Sequence, residues 1–215
     1  MKILSVNVAR PRPLTWEGRV ALSGIFKQSV DGPVQVKTLN LEGDEQADLS
    51  VHGGVNKAVY AYPSEHYAFW QSLYPSRRLD WGAFGENLTT EGLLETSAGV
   101  GDTLQIGTAI LKVVQPRLPC YKLAAKFQDI GILERFTESG RSGIYFSVEK
   151  EGKLQAGASA EWIYRQPGAF TIADAMRLFN GENVPLDKLE CALKVKGLPD
   201  SWRKRIEATF TKNSL

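Results

Sequence analysis

The stretch QPRLPCYKL, from Gln115 to Leu123, marks the point where a strand ends and a helix begins. The apolar run before it, from Ala109 to Val114, is short and rich in β-branched residues, which predicts a buried strand. Two prolines then end that strand, because proline cannot donate to a sheet ladder and holds its predecessor extended. Helical periodicity begins directly after Cys120. The sequence therefore places this cysteine at the junction of a strand and a helix.

Cys120 is the candidate for chemistry in this stretch. Arg117 and Lys122 lie close to it in the sequence. A thiol beside positive charge at the start of a helix is suited to act as a nucleophile or as a ligand of a soft metal. The alternative is a small buried hydrophobic residue, which is the ordinary role of a free cysteine. The spacing alone leaves both interpretations open.

The composition is that of an ordinary globular protein. The chain has 215 residues, 43% hydrophobic and 23% charged, which suits one large domain or one domain with a small appendage. A net charge of +2 gives no reason to expect binding to nucleic acid or to a membrane surface. Two isolated thiols, Cys120 and Cys191, do not make a secreted disulfide framework, and Cys191 is expected to pack rather than react. Without a signal-peptide pattern or a long apolar run, we expect a cytoplasmic protein.

Short strands dominate the first part of the chain. Glycine separates many short apolar segments and helical patterns are inserted singly, so the strict alternation of a parallel α/β fold is not indicated. We predict a β-rich α+β fold with a barrel-like or sandwich-like core. Within it, Trp16 to Ala21 is predicted to form one short strand. Ser64 is predicted to cap a helix whose apolar face includes Tyr67 and Trp70.

The composition changes after Gln166-Pro167-Gly168, where three short helical patterns follow. The predicted helices are Ile172 to Phe179 with Thr171 as the cap, Leu186 to Val195, and Pro199 to Phe210. This pattern predicts a main domain of residues 1–166 and a small C-terminal three-helix domain of residues 167–215. The three helices are expected to form a small core of their own and to take no part in metal binding.

Common metal-binding signatures do not occur in the sequence. Its two histidines, His52 and His66, belong to no HExxH or CxxC arrangement, so a zinc site is not expected. The pair Gly53-Gly54 after His52 suits either close approach by a ligand or, as is usual, a tight turn. A nucleophile pair of Cys120 with His52 remains open, because the sequence does not reveal spatial adjacency.

Several motifs, taken in their order along the chain, resemble those of MOSC domains, which are named after the C-terminal domain of molybdenum cofactor sulfurase. They are Gly43-Asp44 through His52-Gly53-Gly54, Lys57-Ala58-Val59, Gly85-Glu86-Asn87-Leu88, Gly101-Asp102, and Pro116 through Leu123. Their joint order is specific and covers nearly the whole chain. The subgroup that the chain resembles most is the YiiM-like bacterial proteins, which add a helical C-terminal domain.

The resemblance implies a MOSC β-barrel-like core that binds the molybdenum cofactor, a pyranopterin whose dithiolene holds the metal. It implies that Cys120 is the protein ligand of molybdenum or, as in the sulfurase branch, carries sulfur. The role as a ligand agrees with the affinity of soft thiolates for such metals. His52 and Asn87 become candidates to orient cofactor or substrate, with a turn-stabilising role as the alternative. The candidates to bind the cofactor, whose phosphate needs cations and N–H groups, are Ser23, Lys27, Lys57, Arg117 and Arg141. The alternative for each basic residue is a solvated surface charge.

The resemblance also implies an activity. YiiM-like proteins are similar to the mitochondrial amidoxime-reducing component and are associated with the reduction of N-hydroxylated bases such as 6-hydroxylaminopurine. We therefore expect a molybdenum-dependent oxidoreductase that detoxifies base analogues by removing the N–OH oxygen. The chain has no flavin, haem or iron–sulfur motif, so a separate reductase would supply the electrons. The alternatives are a carrier of the cofactor or its sulfur without turnover, and a degenerate anion-binding domain.

Overall fold

The structure, a computed structural model, describes residues 1–47 and 53–213, which contain twelve strands and six α-helices. The strands are β1 (Lys2–Val8), β2 (Arg12–Trp16), β3 (Arg19–Ser23), β4 (Gln28–Ser29), β5 (Val34–Val36), β6 (Val59–Pro63), β7 (Leu88–Glu91), β8 (Thr103–Ile106), β9 (Ala109–Pro116), β10 (Ile144–Lys150), β11 (Gly152–Leu154) and β12 (Ala160–Tyr164). The helices are α1 (Tyr67–Leu73), α2 (Tyr121–Phe127), α3 (Ile132–Glu138), α4 (Ile172–Phe179), α5 (Leu186–Leu193) and α6 (Asp200–Asn213). This mixture confirms the predicted β-rich α+β class. Within these ranges, no helix is both long and apolar enough to cross a membrane.

Eight of the strands form one mixed sheet in the order β12-β8-β9-β10-β6-β7-β1-β4. Neighbouring strands run antiparallel except β6 and β7, which run parallel. The order leaves β12 and β4 at the ends, so the strand ladders of the described chain do not close into a barrel. The sheet nevertheless curls back on itself. The Ile3 N–H donates to the Ala158 carbonyl (2.9 Å), and the Gly157 N–H donates to the Ile3 carbonyl (2.8 Å), just ahead of β12.

The hairpin of β2 and β3 replaces the single strand predicted from Trp16 to Ala21. Glu17 and Gly18 have positive φ angles of 47° and 74° and turn the chain between Trp16 and Arg19. A two-residue turn with positive φ at both positions matches the twist of a hairpin. The prediction was wrong because a glutamate with positive φ is uncommon. The only sequence signal for the turn was therefore Gly18.

Of two predicted helix N-caps, Thr171 is confirmed and Ser64 is not. Thr171 caps α4 as predicted: its hydroxyl accepts the Asp174 N–H (3.1 Å), and the Asp174 carboxylate accepts the Thr171 N–H (3.0 Å). This reciprocal pair is a capping box. The prediction that Ser64 caps a helix is wrong, because Ser64 begins a 3-10 turn ahead of α1 and its hydroxyl lies 3.4 Å from the Glu65 carboxylate.

The buried side chains form two clusters. The first begins inside the sheet, at residues such as Ile3 and Phe146, and continues without a break to Leu189 and Trp202 of the last helices. The three helices thus share the core of the sheet. The predicted boundary after residue 166 remains a prediction. The second cluster is aromatic and packs β6 against α1, α2 and α3; it includes Tyr62, Trp70, Phe84 and Phe136.

Glu86 is fully buried and fixes the turn that precedes β7. Its carboxylate accepts the N–H groups of Gly82 (2.8 Å) and Phe84 (3.1 Å). It also accepts the hydroxyls of Thr89 (2.9 Å) and Tyr67. A buried charge is tolerated only with such complete hydrogen bonding. The conformation of this turn therefore depends on the negative charge of Glu86.

We predict that Glu86→Gln lowers the free energy of unfolding by roughly 2–4 kcal/mol. The amide NH₂ group of glutamine would face the buried N–H and O–H groups that now donate to the Glu86 carboxylate. The substitution would also remove the negative charge that these groups stabilise. Urea unfolding measures the effect. The control is Glu91→Gln at the exposed end of β7, which should change stability by less than about 0.5 kcal/mol. Equally small effects for the two variants would contradict the role given to Glu86.

Candidate functional site

A cavity of about 410 Å³, here called the thiol pocket, lies where β9 ends. Its volume is within the usual range for small-molecule sites. The residues that line it include Ser23, Lys27, Asp44, Lys57, Tyr60, Asn87, Gln115, Arg117, Cys120, Lys122, Tyr145, Trp202 and Arg205. The thiol pocket therefore combines one thiol with several cations.

Cys120 lies directly ahead of α2 with an extended backbone, φ −135° and ψ 171°. Its carbonyl accepts the Leu123 N–H (2.8 Å) in the first turn of the helix. Pro116 is the last residue of β9, so only a short connection separates the strand from the helix. The side chain is half-buried and lines the thiol pocket. The predicted position of this cysteine between a strand and a helix is confirmed.

Lys27 and Asn87 meet at the carboxylate of Asp44. Lys27 Nζ donates to one carboxylate oxygen, and Asn87 Nδ2 donates to the other (2.9 Å). The Lys27 and Asp44 side chains are only 8% and 1% exposed, so this is a buried ion pair. Burial lowers the pKa of Lys27, and Asp44 opposes that shift. Asn87 Oδ1 also accepts the Tyr60 N–H (3.1 Å), so both predicted residues hold the wall of the pocket.

Arg117 places a fixed positive charge beneath the thiol pocket, where it is 7% exposed. Its guanidinium donates to the Phe84 carbonyl and lies 5.0 Å from the ring centre of Tyr60. Burial disfavours the charged form of Arg117, yet the pKa of its guanidinium lies above the ordinary value, so the side chain keeps its charge. The hydrogen bond and the aromatic contact fix the direction of the guanidinium.

Lys57 and Tyr145 interact electrostatically with Cys120. Burial lowers the pKa of Lys57, and Cys120 opposes that shift. Burial raises the pKa of Tyr145, although Arg117 opposes it, so the hydroxyl stays protonated at neutral pH. The ring of Tyr145 packs on Tyr60 with 5.0 Å between the ring centres. An ammonium group and a phenol, two proton donors, therefore lie near the thiol.

Lys122 is a site residue that the predicted set does not include. It is 7% exposed and lines the thiol pocket. Across residues 1–47 and 53–213, we find no hydrogen bond or ion pair made by its side chain. Its side chain borders the cavity, so an anionic ligand in the pocket is the natural partner of its ammonium group. Its place two residues after Cys120 was the sequence signal that pointed to it.

The C-terminal helices also reach the thiol pocket. Trp202 of α6 donates from Nε1 to Gln115 Oε1 (3.0 Å), and Gln115 Nε2 donates to the Asn56 carbonyl (3.1 Å). Arg205, about one turn further along α6, lines the pocket with an exposed side chain. The candidate site thus extends beyond residue 166. The sequence did not indicate this extension, because it depends on how α6 packs against β9.

The remaining predicted residues are placed differently from one another. Ser23 is buried at the thiol pocket, where its hydroxyl accepts the Ile25 N–H (3.3 Å). Arg141 is not brought to this pocket. Its guanidinium lies 4.0 Å from the ring centre of Phe69, and it lines a different cavity. His52 lies outside the described residues. Of the predicted set, the pocket brings together Ser23, Lys27, Lys57, Asn87, Arg117 and Cys120.

Comparison with known proteins gives similarities at both the sequence and the structural level. The family model of the MOSC domain matches residues 48–161. Protein YiiM of Escherichia coli (strain K12) is 37% identical over 187 residues, which cover 86% of this chain and 83% of that protein. A protein of Gibberella moniliformis named a reductase is 33% identical over 193 residues, or 88% of this chain and 34% of that protein.

A solved structure extends the similarity to the fold. The crystal structure of YiiM from Geobacillus stearothermophilus has a TM-score of 0.78 and 35% identity, covering 96% of this chain and 97% of that one. The match therefore includes the curled sheet and the C-terminal helices together. MOSC domains are associated in general with the molybdenum cofactor. The chain belongs to the MOSC domain family and is a YiiM-like member of it.

Proposed function

We propose that the protein is a molybdenum cofactor-dependent reductase of N-hydroxylated compounds such as 6-hydroxylaminopurine, and that it detoxifies base analogues. The observation that carries the proposal is the thiol pocket, in which Cys120 lies among the buried cations Arg117 and Lys122. Membership of the MOSC family supports an association with the cofactor. The relative named a reductase supports oxidoreductase chemistry.

The donor set of the thiol pocket fits the cofactor. A thiolate is a soft ligand, as suits a metal already held by a dithiolene. In the part of the chain that the structure describes, no group of three or more His, Cys, Asp or Glu side chains could hold a metal ion. Cys120 would be the protein ligand of the metal, and the dithiolene of the cofactor would supply further sulfur ligands.

The cations of the pocket have three different roles in this proposal. Arg117 and Lys122 are the residues that would hold the anionic part of the cofactor, because phosphate oxygens accept strong hydrogen bonds from charged donors. Lys27 is already paired with Asp44 and would act by fixing the pocket wall next to Ser23. The exposed Arg205 would face whatever enters the pocket from solvent.

Reduction of an N–OH group breaks the N–O bond and gives an amine and water, at the cost of two electrons and two protons. When bound, the cofactor supplies the two-electron redox centre beside Cys120. Lys57 Nζ is the candidate proton donor to the leaving hydroxyl, because its lowered pKa eases release of the proton. The Tyr145 hydroxyl, kept neutral by burial, is a candidate to orient the substrate by donating a hydrogen bond. A separate reductase supplies the electrons, and the substrate is a small molecule.

We predict that Cys120→Ser abolishes reduction of 6-hydroxylaminopurine while Cys191→Ser retains it. Serine replaces only the sulfur atom, so the fold should survive, but a hydroxyl does not provide the thiolate that molybdenum favours. Cys191 is the matched control because it is also half-buried and lies in α5, away from the thiol pocket. The assay is turnover by cofactor-loaded protein with a chemical electron donor.

Near-parental activity of Cys120→Ser would remove the thiol from the proposed reaction. The carrier alternative would be supported by a different result. In that case the parent and Cys191→Ser would both retain the cofactor, but neither would reduce an N-hydroxylated compound. The two outcomes are distinguished by measuring bound molybdenum and turnover on the same samples.

We predict that Lys122→Met lowers the affinity for the cofactor by roughly tenfold, the effect of losing one charge-assisted hydrogen bond. Molybdenum content after extensive dialysis measures it, and Lys150→Met, exposed on β10, is the control. Cofactor-free Lys122→Met should be no less stable than the parent in thermal unfolding, because the Lys122 side chain makes no hydrogen bond or ion pair within the described chain. Equal molybdenum content in Lys122→Met and the parent would refute this role for Lys122.

A further inference from the structure

A second cavity, of about 820 Å³, lies close to the thiol pocket, and Lys27 lines both. Four segments form it: the start of β2, residues 26–29, the loop after α1 and the end of α2. We call it the arginine cleft, after its lining residues Arg12, Phe26, Arg77, Arg78, Trp81 and Lys126. Neither the family membership nor the proposed reaction uses this cleft.

The arginine cleft has an excess of positive charge. Arg12, Arg77, Arg78 and Lys126 line it together with a single acid, Asp80. That acid is already neutralised, because Arg78 Nε lies 2.7 Å from Asp80 Oδ1. Within the described chain, Arg12 and Arg77 have no carboxylate partner. A concave surface with two uncompensated guanidinium groups concentrates anions.

The two unpaired guanidinium groups are held in place by aromatic rings. Arg12 Cζ lies 3.8 Å from the ring centre of Phe26, and Arg77 Cζ lies 5.1 Å from that of Phe127. Arg77 also donates from Nη1 to the Lys126 carbonyl (3.0 Å). A stacked guanidinium keeps its N–H donors in a fixed plane, the arrangement that binds phosphate oxygens in pairs.

Lys126 makes the floor of the cleft rigid. Its Nζ donates to the carbonyls of Ile25 (2.9 Å) and Gly82 (2.8 Å), which joins two of the segments that form the cleft. The pKa of Lys126 is lowered to about 7, chiefly by burial; Glu86 opposes that shift, and the nearby cations Arg117, Lys27 and Arg12 add to it. The hydrogen bonds of Lys126 thus hold the floor of the cleft, while the arginines supply its positive charge.

Trp81 gives the cleft an aromatic surface beside the two arginines. It is 39% exposed, although its ring packs edge-on against Tyr67 with 4.6 Å between the ring centres. An exposed indole held by a neighbouring ring is a stacking platform for a planar base. The cleft therefore offers charged donors and an aromatic face in one cavity.

We propose that the arginine cleft binds a nucleotide, with its phosphate oxygens on Arg12 and Arg77 and its base on Trp81. The chemistry that the cleft recognises is a phosphate chain joined to a planar aromatic ring. Free inorganic phosphate or pyrophosphate shares the phosphate groups but lacks the planar base. Comparing a ligand with a base and a ligand without one therefore distinguishes a nucleotide site from a site for inorganic phosphate.

The test measures binding of ADP and of inorganic pyrophosphate to the full-length protein by calorimetry. ADP should bind more tightly than pyrophosphate. Arg12→Gln/Arg77→Gln should weaken both by about tenfold or more, the effect of losing charge-assisted hydrogen bonds. Trp81→Leu should weaken ADP by about fivefold or more and leave pyrophosphate unchanged. Arg19→Gln, exposed on β3 and outside the cleft, should change neither.

The Lys122→Met variant shows which of the two cavities binds ADP. Because Lys122 lines the thiol pocket and not the arginine cleft, a nucleotide in the cleft should bind this variant as tightly as the parent. Loss of ADP binding in Lys122→Met alone would place the ligand in the thiol pocket and overturn the proposal. Equal affinity for ADP and pyrophosphate, or binding of neither, would also overturn it. If the double variant fails to fold, Arg12→Gln alone decides, since Arg12 is exposed and should not affect folding.

Discussion

The buried ion pair between Lys27 and Asp44 holds three distant parts of the chain together at the thiol pocket. The Asp44 carboxylate also accepts the Ala9 N–H (2.8 Å) and the Asn87 side chain (2.9 Å), so one acid joins the end of β1, the segment before β4 and the turn before β7. Loss of one partner from such a pair leaves a buried charge uncompensated and costs about 3–5 kcal/mol. The shape of the pocket therefore depends on electrostatics as much as on apolar packing.

The buried cations of the site are not equivalent. Lys27 is satisfied by Asp44, and Arg117 by the Phe84 carbonyl and the ring of Tyr60. Lys122 has no such partner in the described chain although it is almost fully buried. A cation that borders a cavity without a protein partner is expected where the partner is a ligand. The same contrast between paired and unpaired cations distinguishes Arg78 from Arg12 and Arg77 in the arginine cleft.

Some features that depend on neighbouring residues were predictable from the sequence, although the Glu17-Gly18 turn and the start of α1 were not. The residues that meet in the thiol pocket were predicted only through the family resemblance, and several tertiary contacts were missed. The position of Cys120 and the capping of α4 by Thr171 both follow from local rules on proline and on helix caps. Arg141 was grouped with the pocket cations, but the structure stacks it on Phe69, since sequence order does not determine which side of α3 a following residue reaches. The contribution of Trp202 was not predicted because its partner, Gln115, is 87 residues away.

We propose that the thiol pocket holds a molybdenum-bearing pterin. Quantification of molybdenum and pterin in freshly purified protein, from cells that synthesise the cofactor, tests this proposal. We expect both components in amounts equivalent to the protein. Protein that contains neither, from cells in which another molybdenum enzyme is fully loaded, would contradict it.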